Sequence, residues 1–104
     1  MHASISRFAG DPDDLTRRVD ALFMRVPADN VRLLLIVRED DGITLIDTCP
    51  TREAYERFRA SGWMERALAD VGLPMPTVTD HSVHLAVVDG AVSSGRDIGL
   101  AATA

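Results

Sequence analysis

The chain has 104 residues and a formal net charge of −5, with eleven basic against sixteen acidic side chains. That length suits one domain with one core, and the acidic balance argues against nucleic acid as a partner. A single cysteine, Cys49, excludes an internal disulfide, no stretch approaches the ~20 apolar residues of a membrane-spanning helix, and no apolar leader opens the sequence. A cytoplasmic setting with no membrane partner is the expectation.

His2 to Phe8 alternates, with His2, Ser4, Ser6 and Phe8 on one face and Ala3, Ile5 and Arg7 on the other. This predicts a strand. Gly10-Asp11-Pro12 is a helix start, with Asp11 as N-cap and Pro12 at the first helical position. The helix is expected to run to about Arg25, with Leu15, Val19, Leu22, Phe23 and Val26 as its apolar stripe. Pro27 to Asn30 reads as a loop. Leu33 to Val37 and Ile43 to Ile46 are apolar runs of strand length, and Asp41-Gly42 between them predicts a hairpin turn.

A second helix follows, with Thr51 as N-cap and Glu53 in its first turn, where the helix dipole favours an anion. Ala54, Tyr55 and Phe58 share one face; Met64, Ala67, Leu68 and Val71 share another. On a straight helix at ~100° per residue the two stripes diverge, so Ser61-Gly62 between them predicts a kink or a short break. Gly72 caps the end, and Pro74 and Pro76 stop it. Thr77 to Val88 reads as a last strand, ended by Asp89-Gly90. Residues 1–90 are thus expected to form one domain, and 91–104, small, polar and aperiodic, a flexible tail.

The element order is β-α-β-β-α-β. It predicts an α+β, ferredoxin-like plait: a four-stranded antiparallel sheet with two helices on one face. Leu34 and Ile36 alternate with Leu33, Leu35 and Val37, so both faces of the second strand are apolar. A bare apolar sheet face predicts a homodimer, sheet packed on sheet.

With this order, the segment ITLIDTCPTREAYERF and the closing strand TVTDHSVHLAVV, the chain resembles the dimeric α/β-barrel superfamily that includes antibiotic-biosynthesis monooxygenases. The resemblance implies the plait and the dimer. It leaves the activity open among cofactor-free oxygenases, haem-binding and haem-degrading proteins, isomerases and members with no assigned activity. Haem-degrading members carry an Asn on the first strand, a Trp near the middle of the second helix and a later His. Here Arg7 and Phe58 stand at the first two positions, and no histidine occurs between Thr51 and Val71. That departure argues against haem degradation, and no cofactor is expected.

His81 and His84 lie three apart on the last strand, which points them to opposite faces and argues against a shared metal. Arg7 at mid-strand reads either as an anchor for a ligand oxyanion or as the partner of Asp47 or a helix acid. Tyr55, Phe58, Trp63 and Met64 read either as the lining of an aromatic-binding pocket or as plain core. Cys49 reads as inert, since no His or Asn lies close in sequence to activate it. Two functions follow. One is a module binding a small apolar or aromatic ligand between sheet and helices, with Arg7 and His84 as polar contacts. The other is a cofactor-independent monooxygenase or isomerase acting on a phenol or enol, with His84 or His81 taking the proton and Arg7 holding the oxyanion.

Overall fold

A computed structural model describes residues 1–24 and 33–94. Its elements are β1 (His2–Ala9), α1 (Pro12–Phe23), β2 (Leu33–Glu39), β3 (Gly42–Cys49), α2 (Arg52–Ala60), α3 (Trp63–Val71), β4 (Thr77–Ser82), β5 (Leu85–Val88) and β6 (Ala91–Ser94). Four strands form one sheet in the order β2-β3-β1-β4, each neighbouring pair antiparallel. The fold is α+β, and this arrangement is consistent with a ferredoxin-like one. No helix among the described residues is long and apolar enough to cross a membrane.

The caps anticipated from sequence are in place. Asp11 accepts from the Asp14 N–H at 3.0 Å, and Thr51 accepts from the Ala54 N–H at 3.0 Å. The break at Ser61-Gly62 is real: α2 ends at Ala60 and α3 begins at Trp63, with Gly62 in the left-handed region at φ 72°. That conformation is cheap only for glycine, and it turns α3 so that Ala67 and Leu68 face the same core as α1.

The core lies between the helices and one face of the sheet. Phe8, Ile43 and Leu45 from the strands meet Leu15, Val19 and Leu22 from α1 and Ala67 and Leu68 from α3. Fully burying each large side chain stabilises by roughly 1.5–3 kcal/mol before chain entropy is subtracted. Arg18 ties α1 to the end of α3, donating to the Val71 carbonyl at 3.1 Å. On the sheet's other face Leu35 and Val37 are 49% and 43% exposed, as the apolar parity of β2 anticipated.

Three details differ from the sequence reading. The β2–β3 connection is Asp40-Asp41, because Gly42 already pairs with Glu39 as the first residue of β3. Gly42 is required for a different reason: a Cβ there would collide with the Phe8 carbonyl and the Arg7 guanidinium. The second Asp-Gly is the one that makes a positive-φ hairpin turn, with Asp89 at 50° and Gly90 at 78°. The expected long last strand is consequently two: β4 stops at Ser82, and β5 pairs with β6 in a separate ribbon. Ala91–Ser94 is therefore strand where an unstructured tail was expected. Residues 95–104, like Arg25, Val26 and the 27–30 loop, lie outside the described residues.

Candidate functional site

Strand register builds a hollow on the helix-facing side of the sheet. Leu45, Ser6 and Val78 stand side by side in one row across β3, β1 and β4. The next row is Asp47, Ser4 and Asp80, and the last is Cys49, His2 and Ser82. Two serines on the central strand leave space that larger side chains would fill. The helices roof it with Tyr55 and Phe58 of α2 and Met64 and Leu68 of α3, and Phe23 of α1 closes a side. The result is a mostly apolar cavity of about 120 Å³. An apolar cavity of about 150 Å³ is known to take a benzene ring, so this volume suits one aromatic ring or its aliphatic equivalent.

One end of the hollow is polar. His2 is 4% exposed, and its ring stacks on Tyr55 with centroids 4.2 Å apart. His2 Nε2 lies 3.5 Å from Asp80 Oδ1 and has no hydrogen-bond partner among the described residues. The Tyr55 hydroxyl interacts with the Ser4 and Asp80 side chains, and burial pushes its pKa above the ordinary value. Burial likewise pushes the Asp47 carboxyl up; nearby His2 pulls the other way, and the Asp80 charge adds to the rise. The Cys49 thiol is raised by burial and then by Asp47, which disfavours the reactive thiolate. Arg59 stands at the cavity edge with Nη1 3.6 Å from Asp80 Oδ2. An imidazole and two carboxylates beside an apolar hollow can orient a polar head group and hold or move a proton.

The residues singled out from sequence divide sharply. Tyr55, Phe58 and Met64 line the cavity. Trp63 packs against Phe58, with ring centroids 5.7 Å apart, but borders a separate surface hollow with Arg66 and Asp70. Arg7, His81 and His84 do not converge on the cavity. Arg7 has the opposite parity to Ser6 and Phe8, so it lies on the far face of the sheet. There it donates to the Phe8 carbonyl at 2.7 Å and to Asp41 Oδ1 at 2.7 Å, with Glu39 at 3.5 Å. It fastens the β2–β3 turn and pairs with neither Asp47 nor a helix acid. His81 shares that far face; it is exposed, with Nε2 3.0 Å from Thr79 Oγ1. His84 is exposed in the link between β4 and β5.

The histidine nearest the cavity is His2, stacked on the lining residue Tyr55 but outside the lining itself, and the carboxylates in the lining are Asp47 and Glu65; none of the three was singled out as a site residue from sequence. The signal was present in the parity of the first strand, which put His2 on the face of Phe8 with two small serines between them. Among the described residues no group of three or more His, Cys, Asp or Glu side chains is placed to hold a metal ion. No protein-family model and no curated protein matches the chain.

Proposed function

We propose that this protein is a cytoplasmic homodimer of the dimeric α/β-barrel type that binds a small apolar or aromatic molecule between its sheet and its helices. The observation that carries the ligand is the single-ring-sized cavity over Ser4 and Ser6, apolar along its walls and polar at one end. Support for the dimer comes from the far face of the sheet, where Leu35 and Val37 are exposed, and from the β5–β6 ribbon, where Leu85 and Val87 are 54% and 58% exposed. A two-stranded ribbon is marginal in water by itself, and apolar patches of this kind are ordinarily covered.

A second reading is favoured by one observation, the buried His2 between Tyr55 and Asp80. Through the lining residue Tyr55, on which it stacks, this imidazole is the nearest side chain that can take the proton of a phenol or enol held in the cavity, which is the first step of a cofactor-independent oxygenation or of an isomerisation. With Arg7 on the other face, Arg59 is the cation at the cavity edge that could face the resulting oxyanion.

Native mass spectrometry of freshly purified protein tests the main reading. A dimer carrying an added small mass is the expected result; a bare monomer at micromolar concentration overturns it. Turnover of a panel of phenols, lost in His2→Gln, would move the assignment to the enzyme.

A further inference from the structure

The cavity's charged lining consists of Asp47 on β3, Arg59 on α2 and Glu65 on α3. These side chains are not equivalent. Arg59 is already drawn toward Asp80 at 3.6 Å. Asp47 lies in the row between the apolar hollow and His2, directly across from Ser4, and no arginine among the described residues pairs with it. A half-buried carboxylate on the wall of an apolar hollow, with no cation paired to it, is favoured by a donor brought into the same hollow. A ligand anion would instead meet Asp47 and Glu65, with the one lining cation already engaged.

Resting on the ligand-binding reading above, we propose that Asp47 is the specificity-determining acceptor of this cavity, and that its ligand class is a single-ring aromatic whose head group donates a hydrogen bond, a hydroxyl or an amine, rather than a carboxylate. The ring lies over Ser6 beneath Phe58 and Met64, and the head group points along β1 toward Asp47. Buried acceptors discriminate strongly, because a ligand without the matching donor leaves them unpaired. The Asp47 pKa is raised chiefly by its burial, with His2 and a backbone hydrogen bond acting against the rise.

The test is a titration of the full chain, followed by amide chemical shifts, with four probes: benzyl alcohol, benzylamine, benzyl methyl ether and benzoate. Benzyl methyl ether accepts but cannot donate, so it isolates the donor. The expected result is that the two donors bind about tenfold or more tighter than the ether, the ratio set by one hydrogen bond to a charged group, and that benzoate binds weakest. In Asp47→Asn, nearly isosteric, the donor preference should shrink and benzoate should gain. Ether binding as tight as alcohol, or a preference unchanged in Asp47→Asn, overturns the donor assignment while leaving the cavity reading standing. If none of the four shifts a cavity amide, both fall.

Discussion

Ser6→Leu separates a true hollow from an apparent one by the sign of its effect. Ser6 sits on the cavity floor between Leu45 and Val78, beneath the aromatic roof. Were the space of about 120 Å³ wholly closed and dry, it would cost about 3 kcal/mol at ~24 cal/mol per Å³, an upper bound on what a filling side chain can recover. Leucine replaces the hydroxyl by an isopropyl group. At ~0.8 kcal/mol per buried carbon the gain is about 2 kcal/mol, inside that bound. For a domain of this size it raises the melting temperature by roughly 10 °C. The assay is thermal and urea denaturation at one fixed protein concentration, since a dimer's apparent stability depends on concentration. Alongside it, benzyl alcohol binding should be lost, because the leucine occupies the ring's place. If the space is already closed in solution, the extra atoms overpack the core and the variant loses about 1–3 kcal/mol instead. A destabilised variant that still binds the probe refutes the placement of the ligand over Ser6.

Asp47→Asn changes the pH dependence of stability in a set direction. The folded-state pKa of Asp47 is raised by burial, so the folded protein holds that proton more tightly than the unfolded chain does. The wild type therefore loses stability as pH rises from the ordinary carboxyl range near 3.8 through the raised value, and levels off above it. The asparagine variant should lack that loss and be the more stable protein at neutral pH, with the difference vanishing in acid; urea midpoints from pH 3 to pH 8 measure it, and a variant less stable at neutral pH contradicts the burial argument. Gly42→Ala should destabilise by roughly 1–3 kcal/mol, because the new Cβ meets a backbone carbonyl that cannot swing away. Chemical denaturation checks it, and wild-type stability would mean that the β1–β3 spacing at Phe8 is looser than described.

The order of elements as far as β4, the two side-chain caps and the break in the second helical segment were legible in the residues themselves, whereas the β5–β6 ribbon was not. Each depends on chemistry a few positions wide: Asp11 and Thr51 find their N–H partners three residues on, and Gly62 is free to take the positive φ that the divergent stripes on either side demand. Which residues share a face within one strand was legible too, since parity alone grouped Ser4, Ser6 and Phe8 on β1 and separated Leu35 and Val37 from Leu34 and Ile36 on β2; which of those groups lie on the same side of the sheet came from the register. Asp-Gly was ambiguous because it occurs twice, and whether it turns the chain depends on the strand it must pair with. At Asp41-Gly42 the register draws the glycine into β3; at Asp89-Gly90 both residues take the turn conformation.

The site itself was decided by tertiary structure. His81 and His84 were conspicuous by their spacing, yet a sheet face and a strand end put them in the open. Arg7 had a suitable charge and the wrong parity. His2, Asp47 and Asp80 are far apart in the chain and become neighbours only because β1 lies between β3 and β4. Local propensity can specify which residues share a face, since that is a property of one strand. Which side chains meet across three strands, and that two serines in the middle leave a space under the helices, depends on pairing distant segments in one register.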